Sequence, residues 1–279
     1  MQNAGIGALR LNWRYLAFEV RPDDLREAIA GAKTMRFIGL NLTVPHKLLA
    51  MDMVDALDES ARMWGAVNTI RFEARDHAGV WRPLAQFPDA IPESIRGQGF
   101  NTDADAISRS LREDLGVATA GATVLLLGAG GAGRTAALKL ASENVGELFL
   151  VNRTASKAAE LAAEVRQRFP AARINLGYPP PSRAVDLVLN ATSLGLKADD
   201  PSPLDVARYA FTKAAAVYDM IYRPAETSLL KAARLAGCRT ANGLGMLLYQ
   251  GAKALELWSG LKPPIDVMRE ALRRNVYGE

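Results

Sequence analysis

The sequence contains a single cysteine, Cys238, and only two histidines. One cysteine cannot form a disulfide within the chain, and this scarcity is typical of the reducing cytoplasm, where we expect this protein. A single cysteine does not favour a zinc site of the alcohol dehydrogenase kind, which uses two cysteines and a histidine. We therefore expect no bound metal.

Long apolar runs and runs of one charge are also missing. No stretch reaches the roughly 18 apolar residues that a membrane span needs, so we expect no membrane partner. The net charge is +4, with acidic and basic residues interspersed, and no basic arm suited to nucleic acid is present. The mild positive excess instead favours an anionic small molecule as the ligand.

The chain has 279 residues, of which 49% are hydrophobic, and this length favours two domains. In the N-terminal part we predict strands at residues 13–20 and 37–44 and a helix at residues 48–61. From residue 122 onward apolar strands alternate with amphipathic helices, which predicts a parallel sheet. Two further helices are predicted within residues 244–274.

A glycine-rich segment follows the predicted strand at residues 123–127 and opens a predicted helix. Its residues are Gly128, Ala129, Gly130, Gly131, Ala132 and Gly133. The spacing is G-x-G-x-x-G, and its position between strand and helix is the context that a dinucleotide-binding turn requires. Such a turn lets the backbone approach a pyrophosphate, and the helix N-terminus supplies N–H donors. We therefore predict a dinucleotide-binding domain; a flexible glycine turn is the alternative.

The residues after the next predicted strand indicate which dinucleotide binds. NAD-binding domains carry an acidic residue at this point, which binds the ribose 2′-hydroxyl. This chain instead has Asn152, Arg153 and Thr154, followed by Lys157. A guanidinium and an ammonium attract a 2′-phosphate, whereas a carboxylate would repel it. The charges therefore predict NADP as the cofactor.

Hydride transfer to or from a carbinol carbon also needs a group that exchanges a proton with the oxygen. Lys47 lies just past the predicted strand at residues 37–44, and Asn41 and Thr43 alternate onto one face of that strand. Asp103 opens a predicted helix among polar neighbours. A surface lysine and a helix N-cap are the simpler interpretations, and spacing alone leaves the choice open.

The sequence resembles the shikimate dehydrogenase family over nearly its full length. Eight motifs in the same order carry this resemblance and are far more specific together than any one alone. They are N-L-T-V-P-H-K at 41–47, G-A-V-N-T at 65–69, N-T-D at 101–103, the glycine turn at 128–133, N-R-T at 152–154, N-A-T-S at 190–193, Y-D-M-I-Y at 218–222, and N-G-L-G-M at 242–246 with Gln250.

The resemblance implies two α/β domains and assigns residues to them. Residues 1–103 with 240–279 would form a substrate domain, to which the C-terminal helices return, and residues 104–239 a Rossmann-type NADP-binding domain. Lys47 and Asp103 would be the catalytic pair. The implied substrate-binding residues are Asn41, Thr43, Asn68, Tyr222 and Gln250. Beyond the glycine turn and the 152–157 segment, the implied cofactor-binding residues are Thr192, Ser193, Met220, Gly243 and Met246.

The implied reaction is the NADP-dependent reversible reduction of 3-dehydroshikimate to shikimate, a step of aromatic amino acid biosynthesis. Quinate and aminoshikimate dehydrogenases share the fold, and a non-catalytic NADP-binding homologue is an alternative of another class. Short-chain dehydrogenases use Tyr-x-x-x-Lys, which occurs at 209–213 and 249–253, but that family begins at its glycine strand. Here a whole predicted domain precedes the turn. We expect a monomer or a homodimer.

The sequence departs from the family pattern at two places. Family members carry an N-terminal strand and a Ser-x-Ser pair that binds the substrate carboxylate, and Met1 aligns just after that pair. We expect either a start upstream of Met1 or an incomplete substrate site, and the retained later site residues favour the upstream start. The second departure is a longer stretch at residues 71–99. It is interpreted as a surface insertion, or as a partner contact or cleft cover through Trp81 and Phe87.

Overall fold

The computed structural model describes residues 1–89, 92–197 and 199–278. The chain divides into two units. The first comprises Met1–Asp103 and Leu248–Glu279, and the second comprises Ala104–Leu247. Residues 240–247 therefore group with the second unit.

The first unit contains a five-stranded mixed sheet. Its strands are β1 (Gly39–Asn41), β2 (Ala56–Leu57), β3 (Thr69–Arg75), β4 (Trp81–Pro83) and β5 (Ile95–Phe100). β3 lies between β5 on one side and β1 and β4 on the other and is antiparallel to all three, whereas β2 pairs with β5 in parallel. The helices are α1 (Gln2–Ala8), α2 (Leu25–Thr34), α3 (His46–Leu49) and α4 (Glu59–Trp64).

Alternating residues of β3 form the centre of this unit. Ile70, Phe72 and Ala74 point to one face of the sheet and are fully buried. They belong to one apolar cluster with Leu25 and Ile29 of the helix α2. Because side chains alternate between the faces of a strand, every second residue of β3 reaches this cluster.

The second unit contains a six-stranded parallel sheet. Its strands are β6 (Thr123–Leu127), β7 (Glu147–Val151), β8 (Ile174–Leu176), β9 (Leu187–Asn190), β10 (Ala216–Asp219) and β11 (Arg239–Asn242). The helices are α5 (Asp103–Leu115), α6 (Gly131–Ser142), α7 (Ala155–Arg168) and α8 (Ser228–Leu235). The order is β11-β10-β9-β6-β7-β8, so the strand order reverses between β6 and β9. This is the doubly wound arrangement whose ligands bind at the carboxyl ends of the strands beside that reversal. The prediction of a Rossmann-type α/β domain is confirmed.

Two C-terminal helices complete the chain, α9 (Leu244–Ser259) and α10 (Ile265–Tyr277). Trp258 Nε1 of α9 donates to the Ile70 carbonyl oxygen at 2.9 Å, and Gln2 Nε2 donates to the Gly251 carbonyl oxygen at 2.9 Å. These contacts confirm that the C-terminal helices return to the N-terminal domain. Among the helices that the described ranges contain, none combines the length and the apolar character that crossing a bilayer demands.

Residues 13–20, all within the described part of the chain, form neither strand nor helix, so the strand predicted there is wrong. The Tyr15 N–H donates to Asn3 Oδ1 at 2.8 Å, and Asn3 Nδ2 donates to the Tyr15 carbonyl oxygen at 2.9 Å. The asparagine side chain thus binds the backbone groups that a neighbouring strand would use. The strand predicted at residues 37–44 is shorter, Gly39–Asn41.

The helix predicted at residues 48–61 is interrupted. The Asp55 N–H donates to the Gly97 carbonyl oxygen at 3.0 Å, and Asp55 Oδ2 accepts the Gly97 N–H at 2.6 Å. Asp58 then accepts the Ser60 N–H at 2.9 Å and caps the helix α4. Pairing with β5 therefore overrides the apolar spacing that predicted one long helix.

The longer stretch at residues 71–99 builds part of the sheet, since β4 folds back on β3. Two guanidinium groups lie over the Trp81 ring, with Arg75 Cζ at 4.9 Å and Arg96 Cζ at 4.5 Å from the ring centroid. Phe87 packs against the buried cluster of the first unit. Both aromatic residues therefore have partners in their own unit, and a role toward another molecule stays a prediction.

Candidate active site

Lys47 and Asp103 form an ion pair in the first unit. Lys47 lies in the short helix α3, and Asp103 begins α5. Lys47 Nζ donates to Asp103 Oδ2 at 2.8 Å, and the two side chains are 27% and 13% exposed. The Lys47 carbonyl oxygen accepts the Val67 N–H at 2.8 Å, which fixes the backbone of this short helix to the adjoining chain. The structure thus brings together the two residues expected to be the catalytic pair.

The residues just before Asp103 are held by buried amides. Asn101 Oδ1 accepts the Asp103 N–H at 3.1 Å, so Asn101 orients the first turn of α5. Asn68 is 1% exposed. Its Oδ1 accepts the Thr102 N–H at 2.9 Å, and its Nδ2 donates to Thr102 Oγ1 at 3.0 Å. The position of the carboxylate is therefore fixed by its preceding residues as well as by Lys47.

Asn41 joins the same polar cluster from the end of β1. Its Nδ2 donates to Thr69 Oγ1 at 3.0 Å, and its Oδ1 accepts the Tyr15 hydroxyl at 3.1 Å. Burial raises the pKa of Tyr15, so this hydroxyl stays a donor over a wider pH range. Sequence reasoning assigned no site role to Tyr15, which lay in a segment predicted only as a strand.

The remaining expected substrate residues are distributed over both units. Thr43 is exposed just before the helix α3, and Gln250 is half-buried on α9, in the first unit. Tyr222 belongs to the second unit and is 39% exposed. Asn41 and Asn68 are directly connected, since Asn41 Nδ2 donates to the Asn68 carbonyl oxygen at 3.3 Å.

The glycine turn of the second unit has two kinds of glycine. Gly128 has φ 108°, and a Cβ there would lie 2.9 Å from the Ala191 carbonyl oxygen; a Cβ on Gly133 would overlap the Gly128 carbonyl. These two positions need glycine for the turn itself. By contrast, no heavy atom of the described chain lies within 4 Å of a Cβ built on Gly130 or Gly131. The middle of the turn is therefore open.

This open turn fits a pyrophosphate. The helix α6 begins at Gly131, with Gly130 at the N-cap and no side chain bonded to the cap, so N–H donors of its first turn remain available to an anion. The Ala129 N–H is used differently, since it donates to Asn152 Oδ1 at 3.0 Å. Asn152 Nδ2 in turn donates to the Thr154 carbonyl oxygen at 2.8 Å. Asn152 thus connects the glycine turn to the segment expected to bind the 2′-phosphate.

Arg153 and Lys157 are exposed next to this connection. Thr154 is the N-cap of α7, so both basic residues lie at the start of that helix. Neither forms an ion pair with any residue in the described ranges. Two cationic side chains close to a helix N-terminus give this point of the unit a positive potential suited to a phosphate.

The other expected cofactor residues follow the carboxyl ends of three neighbouring parallel strands. Thr192 follows β9, and its hydroxyl donates to Asn190 Oδ1 at 2.7 Å; Ser193 is the next residue and is exposed. The Met220 N–H donates to the Asn190 carbonyl oxygen at 3.0 Å. A Cβ on Gly243 would overlap the Met220 carbonyl, which places the end of β11 directly against the end of β10. Met246 follows in the first turn of α9.

Sequence reasoning did not single out Asp219, whose hydrogen bonds fix the residues at the carboxyl ends of β9 and β10. It is fully buried at the end of β10. Its carboxylate accepts hydrogen bonds from Asn190 Nδ2 at 2.9 Å, the Ile221 N–H at 3.0 Å and the Thr227 hydroxyl at 2.6 Å. Burial raises the pKa of this carboxyl, although the three donors oppose the rise.

Three segments match known family models. Residues 1–70 match the shikimate dehydrogenase substrate binding domain, residues 111–193 match shikimate / quinate 5-dehydrogenase, and residues 243–273 match the shikimate 5′-dehydrogenase C-terminal domain. The matches therefore include residues of both units.

Individual proteins are similar over nearly the whole chain. The shikimate dehydrogenase (NADP(+)) of Geobacter metallireducens is 39% identical over 275 residues, which are 96% of this chain and 88% of that protein. The crystal structure of a shikimate dehydrogenase in complex with NADP+ is 32% identical with a TM-score of 0.81, covering 98% of this chain and 89% of that chain. Quinate dehydrogenase from Corynebacterium glutamicum in complex with NAD is 30% identical with a TM-score of 0.78, covering 96% and 91%.

Proposed function

The chain belongs to the shikimate dehydrogenase family, and from that premise we propose that it catalyses the NADP-dependent reversible reduction of 3-dehydroshikimate to shikimate. The observation that carries the proposal is the ion pair of Lys47 and Asp103, 2.8 Å apart. It lies in the unit that matches the family's substrate-binding domain, while the other unit carries the open glycine turn.

Reduction of a ketone needs a hydride at the carbon and a proton at the oxygen. NADPH supplies the hydride when it is bound. Lys47 donates a proton from its ammonium group to the oxygen as negative charge develops there, and in the reverse direction its neutral amine accepts the hydroxyl proton. Asp103 holds the ammonium in place, because its own backbone and carboxylate are fixed by Asn101 and by the ion pair.

The proposed substrate is a polyhydroxylated ring with a carboxylate. Asn41, Thr43, Asn68 and Gln250 are neutral hydrogen-bonding residues suited to its hydroxyls, and Tyr222 adds a phenol. Asn41 and Asn68 are already oriented by their hydrogen bonds to Thr69 and Thr102, so binding loses little side-chain freedom there.

The proposed NADP contacts follow the order of the strands in the second unit. The glycine turn at 128–133 binds the pyrophosphate through backbone N–H groups, and Asn152 holds the turn to the loop after β7. Arg153, Thr154 and Lys157 bind the 2′-phosphate and adenosine. Thr192, Ser193, Met220, Gly243 and Met246 line the nicotinamide side.

Oxidation of quinate is a second candidate, favoured by the similarity to a quinate dehydrogenase over 96% of this chain. Shikimate and quinate share a hydroxylated ring and a carboxylate, so the same pair of Lys47 and Asp103 would serve both. The two acids differ in hydroxylation and in the geometry of the ring carbon that carries the carboxylate. We favour shikimate because a shikimate dehydrogenase (NADP(+)) is 39% identical to this chain, whereas the quinate dehydrogenase is 30% identical. A cytoplasmic location and a monomeric or dimeric state remain predictions.

Steady-state turnover of the purified chain tests the proposal. Shikimate, quinate and aminoshikimate are each oxidised with NADP and with NAD, and initial rates are followed by the absorbance of the reduced nicotinamide. We expect the highest kcat/KM with shikimate and NADP. Higher kcat/KM with quinate would transfer the proposal to that acid, and binding of NADPH without turnover of any of the three would contradict an enzymatic function.

A further inference from the structure

The hydroxyl group of Tyr218 lies in a buried polar chain inside the second unit. Tyr218 on β10 and Ser110 on α5 are both fully buried. Tyr218 Oη lies 2.8 Å from Ser110 Oγ, and Ser110 Oγ lies 2.6 Å from Asp114 Oδ2. The backbone N–H of Met246 also bonds to the Tyr218 hydroxyl. Four groups from three elements are thus connected.

The two end groups, the Asp114 carboxylate and the Met246 N–H, fix the direction of every hydrogen bond in this series. A carboxylate only accepts, so Ser110 donates its proton to Asp114. Ser110 Oγ must then accept from the Tyr218 hydroxyl, and the tyrosine oxygen accepts from the Met246 N–H. The order is therefore Met246 N–H to Tyr218, Tyr218 to Ser110, and Ser110 to Asp114, with no group left to rotate freely.

The Met246 N–H has no hydrogen-bond acceptor within its own helix. Met246 lies in the first turn of α9, whose N–H groups have no carbonyl partner within the helix. The Leu244 N–H is capped by Asn242 Oδ1 at 3.0 Å, and Tyr218 caps the Met246 N–H from the neighbouring strand. The start of α9 is therefore positioned by a side chain of β10.

Two glycines show how tightly this turn is enclosed. A Cβ on Gly245 would overlap the Asp114 carboxylate and the Ser110 hydroxyl, and a Cβ on Gly243 would overlap the Met220 carbonyl. The segment 243–246 is therefore pressed between the end of β10 on one side and α5 on the other.

We propose that Tyr218 is a positioning residue for the nicotinamide side of the NADP site. Its hydroxyl, backed by Ser110 and Asp114, holds the 243–246 segment in place. The inference rests on the proposed function, because that function assigns Gly243 and Met246 to the nicotinamide. The positioning role assigns Tyr218 itself no contact with substrate or cofactor.

The test compares two ligands that differ only in the nicotinamide. NADPH and 2′-phospho-ADP-ribose, which lacks that ring, are titrated against the wild type and Tyr218→Phe by calorimetry. Loss of the hydroxyl leaves the Met246 N–H without an acceptor, so we expect the Kd for NADPH to rise about tenfold. The Kd for 2′-phospho-ADP-ribose should not change, since the glycine turn and Arg153 are remote from Met246 in the strand order.

Tyr209→Phe is the matched control. Tyr209 is also buried in the second unit, but its hydroxyl donates to the Arg183 and Lys213 carbonyl oxygens, which precede β9 and β10 at the opposite ends of these strands. Both variants lose one buried hydroxyl, and only Tyr218→Phe should weaken NADPH selectively. Ser110→Ala, which removes the acceptor for Tyr218, should act in the same direction as Tyr218→Phe and serves if the latter fails to fold.

The outcomes separate this inference from the proposed function. An unchanged Kd for NADPH in Tyr218→Phe, or an equal loss for both ligands, overturns the positioning role even if the wild type turns over shikimate. A wild type that binds NADPH but turns over no acid fails the proposed function, while the ratio of the two Kd values still decides the role of Tyr218. A wild type that binds neither ligand overturns both.

Discussion

Lys47 Nζ and Asp103 Oδ2 lie 2.8 Å apart although 56 residues separate them in the chain. The two residues sit at the starts of different helices, and each has its backbone fixed by a separate hydrogen bond, to Val67 and to Asn101. An ammonium held in this way is positioned for proton transfer without being buried, since 27% of the lysine side chain stays exposed.

Removal of the charge at Asp103 should slow turnover without disturbing the fold. Asp103→Asn keeps the shape of the side chain but no longer fixes the ammonium, and we expect kcat to fall about 10²-fold. Asp105→Asn is the control on the same helix, because Asp105 is 72% exposed and pairs with Lys139. Equal kcat values for the two variants would show that the carboxylate at 103 has no special role.

Substitutions in the glycine turn should separate folding from cofactor binding. Gly130→Ala meets open space, so its melting temperature should match that of the wild type while the Kd for NADPH rises. Gly133→Ala places a methyl group against the Gly128 carbonyl, so it should lower the melting temperature. Differential scanning calorimetry and NADPH titration check both. If Gly130→Ala bound NADPH normally, no pyrophosphate would approach the turn.

Arg153 should determine the preference of the enzyme for NADP over NAD. We expect Arg153→Ala to lower kcat/KM with NADP about tenfold, since a charge-assisted hydrogen bond to the 2′-phosphate is lost, and to leave kcat/KM with NAD unchanged. Arg166→Ala, at the other end of the helix α7, is the control and should change neither. A parallel fall with both cofactors would argue for a structural role of Arg153.

Glu143 should contribute stability that disappears in acid. Partial burial opposes its charge, but hydrogen bonds from Thr119, Lys139 and Ser108 prevail and lower the pKa of Glu143 below its ordinary value of 4.5. A carboxyl group with a lower pKa in the folded state stabilises the fold fully at pH values above its pKa in the unfolded state. This contribution is lost as the pH falls through the pKa of the folded state.

The comparison of wild type with Glu143→Gln isolates this contribution. The difference in free energy of unfolding, measured with urea, should be constant near neutral pH and should shrink as the pH falls below about 4.5. A difference that grew in acid would reverse the assigned direction of the shift.

Motifs with local spacing predicted the second unit well. The strand before Gly128 and the helix after it follow from apolar periodicity. Arg153 and Lys157 follow the next strand, β7, and lie at the start of α7, as the spacing from the glycine turn indicates. Each of these features depends on residues that are close in sequence. For that reason the Rossmann-type domain was predictable from the chain alone.

Contacts between distant residues could not be predicted in the same way. The segment at residues 13–20 has the composition of a strand, but the Asn3 side chain binds the backbone of Tyr15. The spacing at residues 48–61 fits a helix, but Asp55 pairs with Gly97. In both cases a tertiary hydrogen bond outweighs a weak local preference.

The supporting residues of the candidate site were missed for the same reason. Tyr15 contacts Asn41, and Tyr218 contacts Ser110, across 26 and 108 residues. Sequence periodicity does not reveal such pairs, and the functional motifs contain only one residue of each pair. These residues hold the site in place without carrying its chemistry.

Single-turnover reduction by Lys47→Ala tests the central claim most directly. The enzyme is saturated with NADPH and mixed with 3-dehydroshikimate, and loss of NADPH absorbance is followed by stopped flow, with the Kd for NADPH determined separately. We expect hydride transfer to slow about 10²-fold or more, because the proton donor is missing, while the Kd for NADPH stays at the wild-type value. A rate close to that of the wild type would show that Lys47 is not the proton donor of the reaction.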